Sequence, residues 1–455
     1  MVHIKPKSAT AALLSALCAF AAQSALANRN FNAGTEESPT KLVSDSGYLA
    51  FYGNASSTET DYKMAYFQVD GDISATQLIL SSSFNGKISD HTVYFSDGAS
   101  ATFSNADAVS WNNSSAATIS LTTKNDTDKA TVNLTNKNVS LSVKYSSGNY
   151  ASKLEIGKGI TVNAAGNFTF TGGYNSGGTG VRANNADIYG KINVANTFQH
   201  TDGQFNLYAG SSLAAKNLIA TGNSEIRVFG NMSIKNAGQD IGYSNRIIRV
   251  MNGGLLELEG SSFTSTYYII FENGAKLKSN LGRLTLKNLG HINVFDGNYI
   301  DLSATDVVVQ GGIPSDGPSI LVSRESTLKI GTLGYSNANP MQTKVQIGNN
   351  STLVLEKLAI DDVNVGKLGD KYTLNVTLGE NASLLLLDYV AERDDAALKY
   401  ITIKNNTDNL AWIKTTFEGA DAWKLTAVPE PAEWAAIFGA VALALAAYRR
   451  RATRK

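Results

Sequence analysis

A short pattern returns along most of this 455-residue chain. Two apolar residues stand at i and i+2, a glycine follows at about i+4 or i+5, and another apolar residue comes three or more positions later. Phe205-x-Leu207 leads to Gly210 and Leu213, Ile226-x-Val228 to Gly230 and Met232, and Ile248-x-Val250 to Gly253 and Leu256. Ile270 with Gly274, Ile292-x-Val294 with Gly297, Val345-x-Ile347 with Gly348 and Leu374-x-Val376 with Gly379 continue it. Earlier copies are Val93-x-Phe95 with Gly98 and Leu154-x-Ile156 with Gly159. From Gly210 to Gly297 the glycines fall 20, 23, 21 and 23 residues apart.

A period near twenty that tolerates insertion is what a β-solenoid requires. Each rung is two or three short strands, and every strand pairs with its copy in the next rung. Alternate residues then face inward and stack into an apolar core. The glycine takes the corner, where the chain bends and a positive φ is needed. At Ile320-x-Val322 that position holds Glu325, which marks a degenerate copy. The expected fold is all-β: a right-handed parallel β-helix, with an N-terminal signal peptide and a single C-terminal transmembrane helix. A β-sandwich or several small β domains is the competing arrangement. Residues 91–387 carry the solenoid pattern. Residues 28–90 read as an N-terminal β region or cap. Residues 388–426 read as a C-terminal cap and spacer, with a short helix across Tyr389 to Tyr400, then Trp412 and Trp423.

The two ends carry addresses. Residues 1–27 read as a signal peptide: His3, Lys5 and Lys7 precede an Ala- and Leu-rich stretch, and Ala25-Leu26-Ala27 offers the small-x-small cleavage pattern before Asn28. Cys18 is the sole cysteine and leaves with that leader, so no disulfide or thiolate site is expected in the mature body. Residues 427–455 hold Pro429, Glu430 and Pro431, then an uncharged run from Trp434 to Tyr448, then Arg449, Arg450, Arg451, Arg454 and Lys455. Positive charge beside an apolar helix marks its cytoplasmic side. The run would give a helix of roughly 22 Å against a hydrocarbon core of ~30 Å, a marginal span that suits a processing signal better than a permanent anchor.

This ordered set of features resembles the PEP-CTERM sorting signal. The resemblance implies that an exosortase, a membrane protease-transpeptidase of exopolysaccharide-making Gram-negative bacteria, recognises and removes the tail. Signal peptidase and exosortase are then the processing partners. The protein would enter the inner membrane through its C-terminal helix and reach the cell envelope, the cell surface or the extracellular matrix. The body resembles the passenger regions of autotransporter adhesins and other pectin-lyase-like β-helices, by pattern alone.

The formal neutrality of the chain, 39 basic against 39 acidic residues, comes from these segments. Losing Lys5 and Lys7 with the leader, and Glu433 and five basic residues with the tail, leaves 32 basic and 38 acidic residues, a net of about −6. An acidic body argues against a nucleic-acid partner, since phosphate binding needs clustered Lys and Arg.

Catalytic and metal-binding signals are weak. His91, His200 and His291 stand isolated and read as exposed or turn residues, with no zinc spacing. Asp361-Asp362 and Asp394-Asp395 are the paired carboxylates, but neighbours on a strand point to opposite faces, and Asp394 suits a helix start. Asp296-Gly297-Asn298 and Gly348-Asn349-Asn350 could offer oxygens to calcium, although turn chemistry alone explains them. Tyr243, Tyr267, Tyr268, Tyr299 and Phe295 could stack on sugars or on one another along the solenoid. The expectation is a non-enzymatic surface or matrix protein with a structural and adhesive role, no cofactor, and exopolysaccharide or other surface glycans as ligands. The alternatives are a polysaccharide lyase or glycosidase on the same fold, and a stably anchored surface-binding protein.

Overall fold

The computed structural model describes residues 29–32, 35–44, 48–52, 64–81, 90–106, 109–112, 118–143, 153–173, 184–235, 247–266, 268–287, 290–310, 318–335, 342–359, 373–404, 409–428, 440–446 and 448–449. The chain is all-β, with one large and mostly parallel strand network. It divides into two compact units, residues 1–216 and 217–455.

In the first unit the strands stand in three parallel columns. Column a holds Arg29–Asn32, Tyr48–Tyr52, Gln77–Ser81, Val109–Asn112, Asn138–Ser142, Asn167–Thr171 and residues 198–201. Column b holds Thr40–Lys41, Ala65–Val69, His91–Phe95, Thr118–Thr123, Lys153–Ile156, Asn184–Ile188 and residues 204–207. Column c holds Asp72–Ala75, Ser100–Phe103, Ala130–Leu134, Ile160–Ala164 and residues 191–194. The chain visits b, c and a in turn and then returns to b. Strands before residue 90, set apart in the sequence as a β region or cap, thus stand in the same columns as those after it.

Connections at two corners of each coil run to six residues at most. At the third, between a and b, the chain inserts residues 53–64, 82–90, 113–117, 143–152 and 172–183. A parallel stack tolerates such length differences because pairing depends on the strands and not on what joins them.

The second unit is built likewise. Column d holds residues 225–228, Ile247–Val250, Tyr268–Phe271, His291–Val294, Ile320–Val322, Gln342–Ile347, Thr373–Leu378 and Ile401–Ile403. Column e pairs in two runs: Asn231–Ile234, 255–258 and 276–279, then Tyr299–Leu302, 327–330, 352–355 and Ser383–Leu386. Column f joins 262–265, 283–287, Asp306–Gln310, 333–335 and 357–359. Its longest connections, 235–246, 311–319 and 360–372, all lead into column d, the first from Ile234 of column e and the other two from column f.

The alternation read from the sequence is the core. Ile226, Ile248, Ile269, Ile292, Ile320, Val345 and Val376 lie in one register line of column d and are all buried. Each such side chain contributes about 1.5–3 kcal/mol by leaving water.

The corner after column d explains the glycine. Gly253, Gly274 and Gly297 all have positive φ, near 76–78°. Glu325 stands at the same place with φ 59°, followed by Asn350 at 55° and Asn381 at 54°. The copy that looked degenerate keeps the left-handed bend without glycine. Gly348 and Gly379 precede that bend by two residues. A Cβ on Gly379 would meet the Asn349 backbone nitrogen at 2.7 Å, so there the requirement is close approach.

Residues just past the bend turn inward and close the polar backbone of the corner. Asn298, Ser326 and Ser351 are all buried. Gly274 N donates to Asn298 Oδ1 at 2.8 Å, Asn298 N to Ser326 Oγ at 3.3 Å, and Ser326 N to Ser351 Oγ at 3.1 Å. Buried backbone groups need such partners.

After Leu386 the stack ends differently. A helix, α1 (Ala391–Ala397), runs into a 3-10 turn, Leu398–Tyr400, within the expected Tyr389–Tyr400 span. An antiparallel hairpin follows, Asn409–Phe417 with Ala420–Val428, and its second strand pairs antiparallel with Leu385 and Leu386. An antiparallel strand laid on the last rung covers part of an otherwise open edge.

Among the described residues, no helix is long and apolar enough to cross a membrane. Residues 440–446 are helical, and Tyr448 and Arg449 are also in helical conformation. Ala25, Ala27, Asn28, Pro429, Glu430, Pro431, Trp434, Arg450, Arg451, Arg454 and Lys455 lie outside the described residues.

Candidate functional site: the outer face of column b

Parallel in-register pairing brings residues one coil apart side by side, about 4.8 Å from strand to strand. On the solvent side of column b this aligns Ser120, Glu155, Asp187 and Asn206. Asp187 is buried at 3% exposure. Its carboxylate pairs with the Lys153 ammonium and accepts from Asn206 Nδ2 at 3.0 Å. Lys153 also lies 3.7 Å from Glu155, which accepts from Ser120 Oγ at 3.3 Å.

One step further along the strands, Tyr189 and Tyr208 stack face to face, with centroids 4.6 Å apart and planes 9° off parallel. Burial, then the charge of Asp187, pushes the Tyr208 phenol up to about 12, and the same pair of causes raises Tyr189. Burial works against the Lys153 ammonium, but the Asp187 carboxylate outweighs it and raises its pKa. Higher on the same column, Tyr66 and Tyr94 stack at 6.1 Å and 8°, and Lys124 sits 5.5 Å from the Tyr94 ring centre.

The arrangement offers half-buried phenols, a part-exposed Glu155 and Lys153, and a sealed carboxylate behind them. Hydrolysis of a glycosidic bond needs two carboxyls facing one substrate. Asp187 faces its own network of Lys153 and Asn206, leaving Glu155 as the part-exposed carboxylate among these four aligned residues.

Sequence reasoning missed this face. Its signal was present as a repeated tyrosine after an alternating pair: Ala186-x-Ile188-Tyr189 and Phe205-x-Leu207-Tyr208. The aromatic residues named instead behave differently. Tyr268 stacks on His291 at 4.7 Å, a ladder within the fold. Tyr299 is half exposed beneath Lys329. Tyr243 and Tyr267 lie outside the described residues.

The three histidines are a correction. Expected in exposed or turn positions, His91, His200 and His291 all lie in strands and are buried. Each imidazole stacks on the ring one coil away, against Phe67 at 6.3 Å, Phe170 at 5.7 Å and Tyr268 at 4.7 Å respectively. A flat ring fits an in-register ladder, and that packing outweighs its polarity.

The carboxylate pairs divide. Asp361 and Asp362 lie outside the described residues. Asp394 is fully buried, accepts from the Val390 backbone N–H at 2.7 Å and from Arg393 Nε at 2.9 Å, and so holds the start of α1. Asp395 accepts from the Tyr389 hydroxyl at 2.8 Å. In the Asp296-Gly297-Asn298 turn, Asp296 accepts from Ser323 Oγ at 2.7 Å, while Asn298 donates to the Phe271 carbonyl at 3.2 Å. Among the described residues, no group of three or more His, Cys, Asp or Glu could hold a metal ion.

No protein-family model, curated protein or solved structure shows a significant match to this chain.

Proposed function

We propose that this protein is an exported, envelope-sorted surface or matrix protein whose body is a right-handed parallel β-helix. Its role is structural and adhesive, and its ligand is a surface glycan or exopolysaccharide held on the outer face of column b. The observation that carries the reading is the Tyr189–Tyr208 stack beside the part-exposed Glu155 and Lys153. Sugars present apolar ring faces and hydroxyl edges together, and aromatic rings flanked by hydrogen-bonding side chains match both. The columns of parallel strands support the β-helix. The leader, the Pro429-Glu430-Pro431 tripeptide, the apolar run and the basic end support export and removal of the tail by an exosortase.

The test joins two measurements. Mass spectrometry of the C-terminal peptide from secreted protein should end near the tripeptide, and an intact tail would favour stable anchoring instead. Co-sedimentation with the host's exopolysaccharide should fall on Tyr189→Ala with Tyr208→Ala. Equal sedimentation of the variant would remove column b from the reading.

A lyase or glycosidase has one observation in its favour, the alignment of Glu155 and Asp187 with Lys153 on one face. Against it, Asp187 is sealed, and a phenol held at about 12 stays protonated at neutral pH and makes a poor base. Release of reducing or unsaturated sugar ends from a polysaccharide panel would reverse this preference.

A further inference from the structure

A second polar surface lies in the other unit, on the outer side of column d near its C-terminal end. Three consecutive strands contribute two outward residues each. The register places Lys344, Asn375 and Thr402 in one rank and Gln346 opposite Thr377 in the next. Lys404 extends that second rank, since its N–H donates to the Val376 carbonyl at 2.8 Å. These six side chains line an open cavity of about 480 Å³. The Thr402 hydroxyl donates to Asn375 Oδ1, which fixes one side of the grid.

Strand spacing puts the two lysines at opposite corners, roughly 12 Å apart at their backbones. Among the described residues, no carboxylate belongs to the lining. The body as a whole is acidic once its leader and tail are gone, so a cavity whose charged lining, among the described residues, is Lys344 and Lys404 stands apart from that average. Amides and hydroxyls between the two positive corners are donors and acceptors suited to a polyhydroxylated chain.

We infer that the cavity lined by Lys344, Gln346, Asn375, Thr377, Thr402 and Lys404 binds an acidic saccharide, with its anionic groups at the lysine corners and its hydroxyls on the amide and threonine side chains between them. This inference rests on the glycan-binding reading and adds the charge class of the ligand and a second site for it. Carboxylated and sulfated sugars share the needed chemistry, so both belong in the test.

The experiment is titration calorimetry of the full chain with three probes: oligogalacturonate, a sulfated galactan oligomer and a neutral galactan oligomer. At least one anionic probe should bind more tightly than the neutral one, and raising the salt should weaken it. The double variant Lys344→Gln with Lys404→Gln should lose about tenfold in affinity for that probe, as expected for two exposed ion pairs. Lys137→Gln, an exposed lysine of the other unit, should change nothing. Equal binding of neutral and anionic probes overturns the inference, and so does unchanged affinity in the double variant. If Tyr189→Ala with Tyr208→Ala abolishes binding while the lysine variant keeps it, the cavity is excluded and the column b reading stands. If no form binds any probe, both readings fall.

Discussion

The hydroxyl of Tyr299 donates to Oε1 of Glu418 at 3.1 Å, joining residues 119 positions apart. Lys329 completes the contact, 2.6 Å from Glu418 Oε2 and 5.3 Å from the centre of the Tyr299 ring. Glu418 is at the tip of the C-terminal hairpin, in a left-handed conformation beside Gly419. The hairpin is thus held at the middle of its second strand, where Trp423 and Lys424 pair with Leu386 and Leu385, and at its tip by this clasp. Glu418→Ala should therefore speed amide hydrogen exchange across 409–428 and leave column d unchanged. Uniform exchange in both regions would show that the clasp does not hold the hairpin.

Glu325 occupies a bend that glycine fills in three neighbouring coils. A left-handed conformation costs a residue with a Cβ about 1–2 kcal/mol, partly offset by the freedom glycine has in the unfolded chain. Glu325→Gly should stabilise the second unit by about 0.5 kcal/mol in urea unfolding. Gly274→Ala should do the reverse and by more, because its new Cβ would also meet Asn252 Oδ1 at 2.5 Å.

Burial lowers the pKa of His291 from 6.5 to about 4. The unfolded chain therefore binds the extra proton first as the solution is acidified. Stability from this residue is whole above pH 6.5, falls across the interval down to about 4 and then levels off. The full loss is about 3 kcal/mol. His291→Phe, which keeps a flat ring against Tyr268, should melt with less pH dependence between those limits than the parent. Parallel melting curves across that range would show that His291 is not the sensor.

Asparagine side chains form a ladder on column c. Asn193 Nδ2 donates to Asn163 Oδ1 at 2.9 Å, and Asn163 Nδ2 donates to Asn133 Oδ1 at 3.2 Å. Asn163→Ala breaks both bonds and should cost about 1 kcal/mol of local stability. Hydrogen exchange at 130–134 and 191–194 reads it out. Protection unchanged on both sides would mean the ladder is decorative.

Much of the fold was legible because its core repeats a simple rule. Ile226, Ile248 and Ile292 all stand two residues before an apolar partner and a few before a corner, and all proved buried in one line. What the sequence hid were relations between coils. Glu325 gave no sign of its bend, since the conformation is imposed by the coils above and below it. The histidines looked isolated because their stacking partners sit 23 to 30 residues away, as with His200 and Phe170. The Asp187 cluster was hidden for the same reason: Lys153 and Asn206 lie on different coils, and only the register unites them. Residues 28–90 were hard to read because their apolar pairs lack a regular glycine, although Phe67 and Val69 are as buried as any in the core.

The gathering of long connections ahead of columns b and d gives this body a seam for engineering. Foreign peptide placed within 113–117 or 172–183 would lengthen segments that already differ from coil to coil, while the strands keep their partners. An antigen or enzyme tag displayed there would leave the strand pairing intact, and several copies could be carried from coil to coil. The corner after column d, closed by a left-handed bend and stacked polar side chains, offers no such freedom, so insertions there should be lost while those in the long connections survive.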